Sequence, residues 1–174
     1  MLAEEFQTRR TCQQYMNEDC LYLNIWAPSQ NAQMAVLVFI HGGAFEYGSS
    51  DELFNNPQYL SARTDMVIVT VNYRVGSLGF LDLNMEGSNG NFGLKDQILA
   101  LKWIQKNIKV FGGDPDKVTL YGIRAGAMAI GLHLSREDNR YLFKRAILQS
   151  GTSNSGYFTP KSGKQKALES FYNP

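Results

Sequence analysis

The stretch that decides how this chain folds is Val118-Thr119-Leu120-Tyr121-Gly122-Ile123-Arg124-Ala125-Gly126-Ala127-Met128-Ala129-Ile130-Gly131-Leu132-His133-Leu134. It begins with a short apolar run, passes through a turn flanked by Gly122 and Gly126, and ends in small and apolar residues. That order predicts a strand, a tight turn and a helix. Arg124 stands at the apex of the turn.

The two glycines match the pattern Gly-x-Ser-x-Gly, a sharp strand-to-helix turn that exposes a nucleophilic serine above a sheet. Arg124 occupies the serine position. An arginine stays protonated at physiological pH and has no lone pair with which to attack a carbonyl carbon. The glycines therefore predict the turn, whereas Arg124 at its apex predicts that the nucleophilic attack of a serine is missing.

A second glycine pair, His41-Gly42-Gly43, follows the apolar run from Met34 to Ile40. Such a pair lets backbone N–H groups point at a reacting oxygen, and the N–H of Ala125 would complete an oxyanion hole. The alternative is a plain glycine turn. Beside a turn of the type at residues 122–126, we favour the oxyanion hole.

No residue of the chain suits the role of general base. His133 lies on the helix that follows the turn and cannot reach back to the apex, and His41 belongs to the glycine loop, where a structural role is expected. Ser150 follows a strand but no base follows it, so it is not expected to replace the nucleophile.

The chain predicts an α/β fold with a mainly parallel sheet, because apolar strand-like runs alternate with helical segments. We expect strands over residues 21–27, 34–40, 66–73, 117–121 and 145–149, a helix over 94–111, a turn at Asp114-Pro115 and a long loop over 75–93. The strands over 34–40 and 66–73 are apolar enough to be buried on both faces, and the strand over 145–149 is expected to be buried. Since ligands bind beyond the carboxyl ends of parallel strands, residues 41–43, 124 and 150 should lie on one edge.

Composition bounds the partners. The 174 residues suggest one domain, and a net charge of +1 favours neither nucleic acid nor an acidic membrane surface. We expect no metal ion or cofactor. No apolar run reaches the length of about 18 residues that spans a bilayer, and the N-terminus does not resemble a signal peptide.

Cys12 and Cys20 are the two cysteines of the sequence. They are either unpaired thiols or one disulfide. Closing so short a ring would stabilise the fold by about 2.5 kcal/mol.

Several segments together resemble the type-B carboxylesterase/cholinesterase family, and in particular its arthropod members. Besides the turn at 122–126, they are residues 17–26, 38–45, 71–76, 90–97, 111–115 and 149–151. The resemblance implies an α/β-hydrolase fold, of which residues 1–174 would form an incomplete N-terminal part with a weakly structured tail from about 156. It also implies that the chain starts inside the family's N-terminal region and stops before the catalytic acid and base, as a fragment or a truncated paralogue would. Without the family's later strands, the strand over 145–149 would be an open apolar edge that is prone to pair with other chains.

The resemblance further implies roles for individual residues and an extracellular location. It assigns an oxyanion hole to Gly42, Gly43 and Ala125, a disulfide to Cys12 and Cys20, a structural ion pair to Arg74 and Asp114, and a buried supporting position to Ser150.

The family's reaction is the hydrolysis of small carboxylic esters, and its Gly-Glu-Ser-Ala-Gly is Gly122-Ile123-Arg124-Ala125-Gly126 here. We therefore predict an inactive homologue. The alternatives are a fragment or defective record of an active ester hydrolase, an adhesion protein of the neuroligin or neurotactin kind with a protein partner, and a decayed gene product.

Overall fold

The computed structural model of the protein describes residues 17–29, 33–52, 57–85 and 88–154. Its strands are β1 (Leu23–Trp26), β2 (Met34–Ile40), β3 (Val67–Val71), β4 (Asp82–Met85), β5 (Ser88–Asn89), β6 (Gly113–Ile123) and β7 (Arg145–Gln149). Its helices are α1 (Pro57–Thr64), α2 (Gly76–Phe80), α3 (Phe92–Asn107) and α4 (Ala125–Ser135), with short 3-10 turns at Ser50–Glu52, Ile108–Phe111 and Glu137–Asn139.

The main sheet has five strands in the order β1-β3-β2-β6-β7. Only β1 runs antiparallel to its neighbour, and the pairs β3-β2, β2-β6 and β6-β7 are parallel. Val38 lies level with Val69 on one side and Leu120 on the other. The predicted mainly parallel sheet is confirmed.

The sheet is covered on both faces. On one face, Leu101, Ile104 and Ile108 join Ile130 of α4 in the larger apolar cluster. On the other face, Phe39, Ile68 and Tyr121 pack with partly buried residues that include Leu60 of α1. Full burial of one such side chain contributes about 1.5–3 kcal/mol, so the two clusters account for the sandwich of helices around the strands.

Two segments between the predicted elements are more regular than expected. Residues 75–93 are not one loop, since they hold α2, the β4-β5 hairpin and the start of α3. The turn at Asp114-Pro115 lies inside β6, where the pairing with β2 jumps from Met34–Gly113 to Val36–Val118. The extra residues bulge out of the ladder, which accommodates a proline that has no N–H to donate.

The expected ion pair between Arg74 and Asp114 is wrong. The guanidinium of Arg74 instead binds Asp96 on α3, with Nε and Nη2 at 2.8 and 2.7 Å from the two carboxylate oxygens, and the Arg74 N–H adds a bond of 3.1 Å. Asp114 pairs with Lys117 at 3.1 Å. Arg74 follows the carboxyl end of β3, whereas Asp114 lies near the amino end of β6. The two residues are therefore at opposite ends of the parallel strands, about 20 Å apart.

Strand β7 lies at the edge of the described sheet, where an open apolar edge was expected, but the run over 145–149 is less buried than its composition indicated. Among the described residues it pairs only with β6, and its side chains alternate between exposed and half-buried. Ile147 is 50% exposed. An edge strand with an exposed apolar side chain and unpaired backbone groups is a template for pairing with another chain.

Two expectations lie outside the described residues: the disulfide partner Cys12 and the tail from about 156. Cys20 is half-buried and forms no disulfide within the described part of the chain.

We predict that Asp96→Asn lowers the free energy of unfolding by about 2 kcal/mol, because it removes the charge that neutralises Arg74 from a nearly buried position. The Asp96 side chain is 4% exposed. Asp138→Asn is the matched control, since Asp138 is 85% exposed in its pair with Arg136 and should contribute almost nothing. Urea unfolding of both variants checks this, and equal losses would contradict it.

We predict that Ile147→Lys reduces self-association several-fold, because a charge on the edge strand opposes edge-to-edge pairing. Leu78→Lys adds the same charge at a residue 60% exposed on α2, away from the sheet edge, and should have little effect. Sedimentation velocity over a concentration series measures both. A monomeric parent chain, or equal effects of the two variants, would count against a role for the edge.

Candidate functional site

The turn between β6 and α4 is the predicted strand-turn-helix. Arg124 lies between Ile123 and Ala125 with φ 55° and ψ −116°, a conformation that residues with a side chain rarely adopt. Its backbone is held from two sides: the N–H donates to the carbonyl of Gln149 at 2.9 Å, and the carbonyl accepts from Met128 at 2.9 Å. Such backbone strain costs about 1–3 kcal/mol and persists only where neighbours enforce it.

The glycine loop after β2 packs directly on this turn. A Cβ on Gly126 would lie 2.0 Å from the carbonyl oxygen of Ile40, so only glycine lets α4 start so close to the end of β2. A Cβ on Gly42 would lie 2.9 Å from the carbonyl oxygen of Ile123 and 3.6 Å from Cβ of Arg124. Gly42 and the apex are therefore adjacent, although they are far apart in sequence.

The backbone donors at this position are available. Among the described residues, no loop or turn hydrogen bond uses the N–H of Gly42, Gly43 or Ala125 as its donor. Ala125 is also the first residue of α4, where the helix dipole favours negative charge. The N–H groups of Gly42 and Ala125 therefore lie next to the apex without a loop or turn acceptor among the described residues.

The side chain of Arg124 is exposed. No carboxylate among the described residues pairs with its guanidinium. A permanent positive charge thus stands where the pattern Gly-x-Ser-x-Gly would have a hydroxyl, directly beside Gly42 and Ala125.

His41 is fully buried and serves the packing of the glycine loop. Its ring stacks on Tyr73 with centroids 4.2 Å apart, and the Tyr73 hydroxyl donates to the His41 carbonyl at 2.8 Å. Nδ1 donates to the carbonyl of Gly42 at 2.9 Å, so the proton of the neutral ring is on Nδ1. Nε2 has no partner among the described residues. Burial lowers the pKa of His41 from 6.5 to about 4.

His133 is likewise held in the core. The Asn139 side-chain amide donates to Nδ1 at 3.3 Å, and Nε2 donates to the side-chain Oε1 of Gln97 on α3 at 2.8 Å. Burial, assisted by the positive charge of Arg136, lowers the pKa of His133 to about 4. Both histidines are therefore neutral parts of the scaffold at neutral pH.

Ser150 does not occupy the buried supporting position that was expected. It follows the edge strand β7, is exposed, and has a positive φ of 57°. The neighbour that acts on the apex is Gln149, whose carbonyl holds the Arg124 N–H. Its role could not be read from the sequence, because a backbone carbonyl leaves no residue-type signal.

The described residues contain no group of three or more His, Cys, Asp or Glu side chains that could hold a metal ion. Within the same ranges, no helix is both long and apolar enough to cross a membrane.

A sequence model of the carboxylesterase family matches residues 2–172. The chain belongs to the carboxylesterase family. Acetylcholinesterase of Danio rerio is 48% identical over 147 residues, which cover 83% of this chain and 23% of that protein. Cholinesterase 1 of Branchiostoma lanceolatum is 48% identical over 139 residues, covering 79% of this chain and 39% of that protein.

Solved structures of the family agree with this fold. A PNB esterase superposes with a TM-score of 0.76 at 43% identity over 82% of this chain and 31% of its own. The α/β-hydrolase fold implied by the sequence segments is thereby confirmed. The chain spans well under half the length of these relatives.

We predict that stability falls as the pH drops from about 6.5 to about 4, the window between the unfolded and folded pKa values of His41 and His133. In that window the unfolded chain binds more protons than the folded one, so the free energy of unfolding rises with pH, by up to about 3 kcal/mol per imidazole. His133→Gln should flatten the slope in urea unfolding at a series of pH values. An unchanged slope would contradict the neutral, buried state of His133.

Proposed function

We propose that this chain is a catalytically silent member of the carboxylesterase family, which keeps the ester-binding turn and loop but lacks the nucleophile. The observation that carries the proposal is Arg124, exposed at the apex of a turn whose backbone is otherwise in the nucleophile-bearing conformation. Loss of the nucleophile from a triad leaves only the weak catalysis of the remaining site.

Gly42, Gly43 and Ala125 are proposed as the oxyanion-binding donors. Their N–H groups have no acceptor in the described loops and turns, and Gly42 touches the apex. In ester hydrolysis such donors stabilise the negative oxygen of the tetrahedral intermediate. Without an attacking oxygen that intermediate does not form, and the donors can serve only to bind.

The two histidines of the given sequence are placed as structural groups, which is consistent with the same proposal. A serine nucleophile needs a neighbouring histidine to take its proton. The sequence has two histidines, and both are fixed in the core by hydrogen bonds to Gly42, Gln97 and Asn139. Neither is placed to serve the apex.

The charge of Arg124 limits which class of small molecule can bind at the apex. Relatives named acetylcholinesterase act, by that name, on acetylcholine, an ester with a permanent positive charge. A guanidinium at the apex repels such a cation and attracts a carboxylate or another anion. The small molecules that this site retains are therefore proposed to be neutral or anionic esters and their carboxylate products.

We also propose an extracellular location. It rests on the family and on the pair Cys12 and Cys20, since disulfides persist in oxidising compartments. The backbone at Cys20 is fixed by two hydrogen bonds to its carbonyl, from the Tyr22 N–H at 2.8 Å and from the Asn72 amide at 3.1 Å.

We predict that the chain shows no hydrolysis of p-nitrophenyl acetate that is blocked by diethyl p-nitrophenyl phosphate, and that this phosphate ester adds no mass to the protein. Arg124→Ser should gain one diethylphosphoryl group slowly, because a hydroxyl then stands beside the oxyanion donors. It should not gain sustained turnover, because neither His41 nor His133 is placed to act as its base.

Arg145→Ser is the matched control, since Arg145 is an exposed arginine at the opposite end of the sheet, on the first residue of β7. It should behave as the unchanged chain does. Turnover by the unchanged chain that diethyl p-nitrophenyl phosphate blocks would refute the proposal. Transfer of a diethylphosphoryl group to the Arg145→Ser variant would refute it as well.

A further inference from the structure

Helix α3 and the 3-10 turn that follows it present an unusual outward surface. We call it the lysine–tryptophan face: Leu99, Trp103 and Val110 with Lys102, Lys106 and Lys109. The three apolar side chains are 61%, 39% and 73% exposed, and the three lysines are exposed as well. Large apolar side chains grouped on a surface mark an interaction site more often than isolated ones do.

The face consists of two parallel stripes. Lys102, Lys106 and Lys109 are spaced i, i+4 and i+7, so they form one row along the helix. Leu99, Trp103 and Val110 form the adjacent row, about 16 Å long at the helical rise of about 1.5 Å per residue. The opposite side of the same segment is the buried row Leu101, Ile104 and Ile108, so these stripes point away from the core.

The ring of Trp103 packs beside that of Phe111 at the end of the turn, with the ring centroids 6.2 Å apart. With 39% of its surface exposed, Trp103 remains in contact with water.

No carboxylate in the described ranges forms a salt bridge with the three lysines of this face. Residues 92–113 contain four lysines and one acidic residue, Asp96, which is turned inward onto Arg74. Asp114 is already paired with Lys117, and its pKa is lowered mainly by the hydrogen bond from the Asp116 N–H and by Lys117, with a smaller contribution from Lys109. A chain with a net charge of +1 therefore concentrates positive charge on one helix.

We propose that the lysine–tryptophan face binds the surface of a lipid bilayer that contains anionic lipids. The outward side of a helix is convex and offers no groove for a peptide, whereas a straight apolar row beside a basic row is the pattern of helices that lie in a membrane interface. Tryptophan is enriched at that depth, and lysines bind anionic headgroups. This inference does not depend on the chemistry at Arg124.

The experiment uses the full chain and vesicles of phosphatidylcholine with or without phosphatidylserine. The sequence has two tryptophans, so Trp26→Phe leaves Trp103 as the only reporter. We expect a blue shift of the Trp103 emission and its quenching by brominated lipid with the anionic vesicles only, both reversed by salt. Co-sedimentation of the unmodified chain checks that Trp26→Phe has not changed the result.

The charge-reversed variant Lys102→Glu/Lys106→Glu should lose binding more than about twentyfold, since each surface lysine contributes about fivefold. Lys144→Glu/Arg145→Glu changes the net charge equally at exposed residues elsewhere and should lose much less. Equal losses, binding without a change at Trp103, or equal binding to neutral vesicles would overturn the proposal. So would binding to polyglutamate without binding to vesicles, which would assign the face to an acidic protein.

Discussion

The structure depends on how closely three chain segments approach one another at the end of β6. Gly126 lies against the carbonyl of Ile40, Gly42 against that of Ile123, and Gly151 against that of Arg124, where an added Cβ would lie 2.4 Å from the oxygen. These contacts join the ends of β2, β6 and β7 to the start of α4. They also provide the enforcement that a strained residue at position 124 requires.

Neighbouring backbone contacts impose the strained conformation of residue 124, so the fold does not depend on the identity of its side chain. Arg124 projects into solvent and contributes to the scaffold only its N–H and carbonyl. The glycines that shape the turn and the residue that would perform the chemistry are therefore separate requirements. A chain can therefore keep the glycines that shape the turn, and with them the family's fold, without keeping a nucleophile.

The sequence predicted what depends on local pattern. Apolar runs located β2 and β7 to the residue, and the glycine spacing located the turn. It failed where a partner in space decides: Arg74 binds Asp96 and not Asp114, Ser150 is exposed, and the strand over 145–149 is not buried. The apolar composition of β7 reports how buried a strand can be, but the number of its neighbours is a property of the sheet.

Helix α3 shows how an inward contact determines an outward surface. Asp96 holds Arg74, Gln97 holds His133, and the Gln105 amide donates to the carbonyls of Pro115 and Leu142 at 2.9 and 3.0 Å. These polar contacts allow one rotation of the helix about its axis, since a shift of one residue turns it by about 100°. The lysines and Trp103 therefore face solvent because the opposite side is committed to specific partners. Net charge averages over the whole chain, so it gave no sign of this face.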